Sequence, residues 1–299
     1  MKLATALTLG RASNLPTVWS NALAGMAFAS VSFTATTPSI ALLAAVLFAF
    51  SLLYLGGMFF NDAFDAEWDK AHQQNRPIVN GETSVKEVSS FATLFFIVAL
   101  AIFAGTTPYE KRAVALTAAS LLILCILLYD WKHKQWSFSA WVMGSCRCML
   151  YITAALLVGT LNGTLFAAGI CLTAYIAGIT YLARSEHLNH VSSFIPLVLL
   201  AAPLVFALYI TYSIAFPAGY AYWPALMAIS IAAAWLIYSI RFLLPGPQRF
   251  IPKAIGGLLA GLCLIDSSLL FALGYFFTAS VALACFGLCL ILQRNIKAS

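Results

Sequence analysis

Asn61-Asp62-Ala63-Phe64-Asp65-Ala66-Glu67-Trp68-Asp69, followed by Arg76-Pro77-Ile78 and Gly81, breaks into a chain that is apolar on either side of it. The 299 residues include ten Asp and Glu, and six of them (Asp62, Asp65, Glu67, Asp69, Glu82 and Glu87) fall between Asn61 and Glu87. Carboxylates gathered at the end of an apolar segment are costly unless positive charge compensates them. What supplies that charge is the question on which the functional reading turns.

The flanking sequence sets the fold class. The chain is 62% hydrophobic and 9% charged, with mean hydropathy +0.93, whereas a soluble domain carries about 25% charged residues. Apolar runs fall near 15–34, 38–60, 87–107, 112–129, 138–159, 164–183, 192–213, 222–244, 253–274 and 278–293. A run of about 20 apolar residues crosses a bilayer as a helix. A transmembrane β-barrel needs short alternating segments instead, and none is present. The expected fold is all-α, a polytopic transmembrane helical bundle of nine to ten spans, with 278–293 a short last segment that is either the second half of its predecessor or interfacial. Without a linker or low-complexity tract, 1–299 is read as a single domain.

The net charge of +6 is distributed by topology and is not a nucleic-acid signal. With the N-terminus placed in the cytoplasm, thirteen of the sixteen Lys and Arg collect on the inner side, against Lys111 and Arg112 outside and Arg147 within a span. The positive-inside rule therefore predicts a multi-pass protein of the plasma (inner) membrane. Its acidic stretch and the connections 129–136 and 184–190 lie together on the cytoplasmic face. The first fourteen residues lack a signal-peptide pattern, so the first span is expected to act as an uncleaved anchor. Seven cysteines lie in apolar spans without metal-binding spacing and read as small apolar residues.

In chain order, Asn14 and Asn21 are amides at the start of the first span, expected to face the bundle interior as helix contacts or substrate contacts. If the second helix continues past Phe60, Asp62, Asp65 and Asp69 lie at i, i+3 and i+7 on one stripe. Three stacked carboxylates repel, and a hard divalent cation with oxygen ligands relieves that repulsion; Mg²⁺ commonly combines one or two carboxylates with phosphate oxygens. Lys70 and Arg76 follow, and a guanidinium suits bidentate phosphate capture.

The pattern Asn61-Asp62-x-x-Asp65-x-x-x-Asp69 with Arg76-Pro77-Ile78-x-x-Gly81 resembles the first aspartate-rich signature of the UbiA superfamily of intramembrane prenyltransferases, and the order of spans is similar over at least residues 11–274. The resemblance implies a UbiA-like helical bundle around a central cavity, binding an isoprenyl diphosphate donor through Mg²⁺ at two aspartate motifs. It implies that Asp62, Asp65 and Asp69 are the catalytic metal ligands and that Asn61 and Arg76 hold the diphosphate. Phe59, Phe60 and Phe64 are nearby aromatic candidates for supporting a carbocation.

Further along, Tyr129-x-x-x-His133-Lys134 is a softened form of the basic pattern of the family; the resemblance implies that Lys134 lies near the diphosphate, while Asp130 can pair with Lys134 at helix spacing, which leaves a purely topological basic loop as the alternative. Arg147, inside the fifth span, needs an anionic or polar partner, either the diphosphate or a structural one such as Asp266. The connection after the sixth span departs from the second motif. In Arg184-Ser185-Glu186-His187-Leu188-Asn189-His190 the acidic residue is Glu186. Arg184 and Glu186 are its candidate substrate contacts, with Glu186 also a metal ligand. Arg249 and Lys253 are placed to meet anionic lipid headgroups.

The sequence thus predicts Mg²⁺-dependent transfer of a prenyl group to a small or lipid acceptor, unidentified by the sequence, within the membrane. The expected partners are the diphosphate donor and membrane lipids, with no nucleic acid. The alternative is a non-catalytic transporter or lipid- or diphosphate-binding protein on the same bundle.

Overall fold

The computed structural model describes residues 1–29, 39–184, 194–216, 222–244 and 249–296. Among them are eleven α-helices and no strand: α1 (Leu3–Leu9), α2 (Leu15–Phe28), α3 (Ile40–Ala71), α4 (Val85–Thr106), α5 (Tyr109–Lys132), α6 (Ser139–Val158), α7 (Gly163–Arg184), α8 (Ile195–Ile210), α9 (Tyr222–Ile240), α10 (Ile251–Ala272) and α11 (Phe276–Asn295). Among the described residues nine helices, α3 to α11, with α8 and α9 extended by a short π or 3₁₀ turn, are long and apolar enough to cross a membrane. The molecule is an integral multi-pass membrane protein.

Local sequence explains the helix ends. Ser39 and Ser84 cap α3 and α4 by accepting from the amides of Leu42 and Glu87, each at 3.2 Å, which satisfies one of the free donors of a first turn. Asn162 does the same for α7, its Oδ1 accepting from Leu165 N at 2.8 Å. Pro16, Pro196 and Pro252 stand in first turns, where their missing N–H costs nothing. Pro196 therefore does not kink its helix, whereas Pro203 lies inside α8.

Two expectations change in detail. The first span, read as 15–34, is helical over Leu15–Phe28, fourteen residues, and 30–38 lies outside the described residues. The last segment, read as a half-helix or interfacial piece, is the separate 20-residue helix α11. It folds back on α10 through Gly274, whose φ of 85° is in the left-handed region that glycine tolerates.

Helix α3 positions the site. Its 32 residues span about 48 Å at 1.5 Å per residue, against a hydrocarbon thickness of about 30 Å. The helix runs unbroken through the acidic stretch, so its last turns carry the aspartates past the apolar layer. Helix α2 lies at the centre, against α6, α10, α11 and α3. Close approach there depends on Gly25, where a Cβ would stand 2.7 Å from Tyr151 O. The resulting cores join α2, α6, α7, α8 and α10 on one side and α2 to α6 on the other, and a cavity is left between them.

Candidate functional site

The helical phase of α3 does place its aspartates on one stripe, and three other segments bring cations to it. Arg11, in the turn after α1 with φ of 40°, has Nη2 3.5 Å from Asp62 Oδ1 and 3.3 Å from Asn61 Oδ1. Arg76, in the α3–α4 connection, lies between two aspartates, 3.8 Å from Asp62 and 3.9 Å from Asp69. From the turn after α5, Lys134 Nζ reaches Asp65 at 2.7 Å and Asp69 at 3.9 Å, and His133 Nε2 lies 3.5 Å from Asp65. Lys134 also sits over the Trp68 ring at 3.8 Å. Acid and base alternate, so each aspartate faces a different pair of partners. Lys70 is exposed and enters none of the described ion pairs.

Asp130 turns away from the partner its spacing suggested. Lys134 goes to α3, and Asp130 is buried, accepting from Asn61 Nδ2 at 3.1 Å. Two carboxylate oxygens in this region are buried with no hydrogen-bond partner, Asp62 Oδ2 and Asp130 Oδ2. Among the described residues no three of His, Cys, Asp and Glu converge closely enough to hold a metal ion, because cations are interleaved with the carboxylates. The donors are nevertheless hard oxygens, and the two unpartnered ones are of the kind Mg²⁺ takes.

Arg11 and Asp130 belong to this cluster and also line a cavity of about 260 Å³ between α2, α3, α5, α6, α7 and α10. Its wall is mainly apolar, with Val18, Phe50, Leu53, Leu122, Ile126, Leu150, Ile176 and Ile179, and its polar contributions include Tyr54, Tyr129 and Arg147. An apolar chamber with a few placed polar groups is the usual form of a small-ligand site. The aromatic residues on it are Phe50, Tyr54 and Tyr129, not the Phe59, Phe60 and Phe64 suggested by sequence proximity. Phe59 is buried against Leu9, Val88 and Ala92, and Phe64 is exposed.

The remaining predicted residues are spread over other tasks. Arg147 donates to Asn21 Oδ1 at 2.8 Å and to Thr17 Oγ1 at 3.1 Å. Asn21 donates in turn to Asp266 Oδ2 at 2.7 Å, which Ser20 also reaches at 2.6 Å, while Tyr151 donates to Oδ1 at 2.5 Å. Asn14 accepts from Gln293 Nε2 on α11 at 3.1 Å and is not on the cavity wall. Arg184 donates to His133 O at 2.8 Å, to Ser137 O at 3.3 Å and to Ser139 Oγ, so it ties the end of α7 to the turn that presents Lys134. Glu186, with Ser185, His187, Asn189 and His190, lies outside the described residues.

Sequence reasoning missed Arg11 and the placement of Asp130. Arg11 counted there as a topological charge, and the signal available was a basic residue directly after Gly10, just ahead of a span. At Gly10 a Cβ would stand 2.5 Å from Leu55 Cδ2, so the glycine lets this turn approach α3 closely.

Comparison with known proteins matches residues 18–255 to the model of the UbiA prenyltransferase family. No curated protein sequence matches the chain. Among solved structures, a UbiA homolog from Archaeoglobus fulgidus bound to GPP and Mg²⁺ is similar with TM-score 0.58 at 15% identity, over 95% of this chain and 99% of that one. A UbiA homolog from Archaeoglobus fulgidus bound to DMAPP and Mg²⁺ is similar with TM-score 0.56 at 16% identity, over 89% of this chain and 99% of that one. A digeranylgeranylglyceryl phosphate synthase gives TM-score 0.56 at 19% identity, over 93% and 98%.

Proposed function

The chain belongs to the UbiA prenyltransferase family, and from that premise we propose that it transfers a prenyl group from an isoprenyl diphosphate to a small or lipid acceptor within the membrane, with Mg²⁺ as cofactor. The observation that carries this reading is that Arg11 and Asp130 belong at once to the charged cluster and to the cavity wall. A diphosphate held at the cluster would have its apolar chain entering the cavity without a gap. The similar structures that hold DMAPP or GPP with Mg²⁺ support the choice of donor class. We read residues 1–299 as one domain, with the charged end of the bundle facing the cytoplasm.

The roles follow from charge and polarity. Asp62, Asp65 and Asp69 would hold the cation, and Mg²⁺, when bound, supplies positive charge that offsets the charge of a departing diphosphate. Arg76 and Lys134 would exchange part of their contact with aspartates for contact with phosphate oxygens, and Arg11 would approach from the cavity side. Asn61 orients Arg11 through its carbonyl and Asp130 through its amide. The apolar wall excludes water from an allylic cation, and the faces of Phe50, Tyr54 and Tyr129 stabilise it without attacking it. Arg184 acts through the turn it holds and not on the donor, and Asn14 and Asn21 position α2.

Membranes carrying the chain, supplied with labelled prenyl diphosphates, Mg²⁺ and a panel of acceptors, test the proposal. The expected result is transfer of label that is lost in Asp62→Ala and in Asp65→Ala. Undiminished transfer in both variants overturns it. Tight donor binding without turnover on any acceptor moves the assignment to a binding protein, the reading favoured by a second connection whose acidic residue is Glu186 alone.

A further inference from the structure

Asp130 is buried to 3% exposure, inside the protein next to the cavity, and its Oδ2 has no hydrogen-bond partner. None of the described ion pairs involves it, and the one described hydrogen bond of its carboxylate comes from a neutral amide, Asn61 Nδ2 on Oδ1 at 3.1 Å. Asp62, equally buried at 3%, also has an unpartnered Oδ2. Its Oδ1 has Arg11 and Arg76 at 3.5 and 3.8 Å, longer than a direct charged hydrogen bond. A carboxylate oxygen held from water with nothing donating to it is expensive, and two in one region need a common explanation.

The two belong to one small assembly. Asn61 precedes Asp62 on α3 and bridges to Asp130 on α5, and Arg11 contacts both Asn61 and Asp62. The open oxygens therefore come from two different helices, with Asp130 on the cavity wall and Asp62 tied to it through Asn61 and Arg11. Four carboxylates (Asp62, Asp65, Asp69, Asp130) meet three permanent cations (Arg11, Arg76, Lys134) here, and Asp130 is the one that enters no ion pair among the described residues. A hard divalent cation satisfies such oxygens and uses few carboxylates when phosphate completes its shell.

We propose that Asp130 is an oxygen ligand, together with Asp62, for the divalent cation that meets the donor diphosphate. This chain then completes its cation site from α5, which relieves the demand on the sparsely acidic connection after α7. The proposal rests on the donor-diphosphate reading above but concerns the cation alone, so it has its own readout.

The test uses the full chain purified in detergent and Mn²⁺ alone as probe, followed by electron paramagnetic resonance, together with thermal unfolding with and without Mn²⁺. Asp130→Asn, of the same shape, is expected to weaken Mn²⁺ by about tenfold or more and to abolish Mn²⁺-induced stabilisation while leaving the metal-free melting temperature at or above that of the wild type. Asp62→Asn is expected to behave alike, and Glu110→Gln, at the opposite end of α5, to bind as the wild type does. Unchanged Mn²⁺ affinity in Asp130→Asn with loss in Asp62→Asn overturns the role of Asp130 and keeps the donor reading. Unchanged affinity in both overturns the cation site itself. Should Asp130→Asn not fold, Asp130→Glu replaces it: displacement of the carboxylate by one methylene is expected to weaken Mn²⁺, and wild-type affinity there overturns the proposal.

Discussion

Arg147 and Asp266, two opposite charges within the apolar bundle, are joined through a single side chain: Asn21 accepts from Arg147 at 2.8 Å and donates to Asp266 at 2.7 Å. Thr17 completes the arginine side, and Ser20 and Tyr151 complete the aspartate side. The network fastens α2 to α6 and α10, the helices that frame the cavity, and it gives the intramembrane charges a structural role.

Breaking this bridge should cost stability in steps. Asn21→Ala leaves donors and acceptors on both sides unpaired, at about 1–3 kcal/mol. Asp266→Ala leaves Arg147 without its bridged countercharge, at about 3–5 kcal/mol. Thermal unfolding in detergent checks both, and the double variant Arg147→Ala/Asp266→Ala should lose less than the sum of the singles, the sign of coupling between them.

Close packing of α2 on α6 makes a second prediction. At Gly25 an added Cβ meets Tyr151 O at 2.7 Å and Tyr151 Cα at 2.8 Å, both backbone atoms that yield little. Gly25→Ala should destabilise by roughly 1–3 kcal/mol. Gly105 has nothing within 4 Å of a Cβ, so Gly105→Ala, near the end of α4, should be neutral or stabilising by up to about 1 kcal/mol. Melting temperatures of the two variants should therefore move in opposite directions or differ clearly.

The charged cluster should be felt in donor binding more than in folding. Lys134 is partly exposed and serves both Asp65 and Asp69. Lys134→Ala should raise the KM for a prenyl diphosphate by about tenfold, the worth of one charge-assisted hydrogen bond, with little change in melting temperature. Lys134→Arg should restore most of the affinity. Rising ionic strength should narrow the difference between wild type and Lys134→Ala.

Cavity length should set the donor preference. Leu53 and Leu150 stand on the apolar wall of the chamber. Leu53→Trp and Leu150→Trp each fill part of it and should shift activity toward shorter donors. Leu283, in a separate groove between α9, α10 and α11, is the control position for a Trp. Initial rates over a series of donor chain lengths check the shift.

The sequence carried the fold well because span length and hydropathy are local quantities. The continuation of α3 through Asp69 was readable as helical phase, and the stripe of Asp62, Asp65 and Asp69 followed from it. What sits on that stripe was less readable. Lys134 pairs across to α3 and not with Asp130 four positions earlier in the chain, because the choice depends on how α3 and the end of α5 face each other. Arg11 was invisible as a site residue since a turn at positive φ, packed close to α3, delivers it to Asp62. Asn14 and Arg184 look from sequence like substrate contacts, yet Asn14 accepts from Gln293 and Arg184 donates to the carbonyls of His133 and Ser137. Polar residues near a site are needed to build it as well as to bind, and spacing along the chain does not separate the two uses.

The most direct measurement is an experimental density map of the chain with Mg²⁺ and a non-hydrolysable isoprenyl diphosphate analogue. The expected density places the diphosphate among Asp62, Arg76 and Lys134, with the apolar chain running along Leu53, Leu122 and Leu150. A cavity filled by a membrane acyl chain, with no diphosphate between α3 and α5 at saturating analogue, would contradict the account.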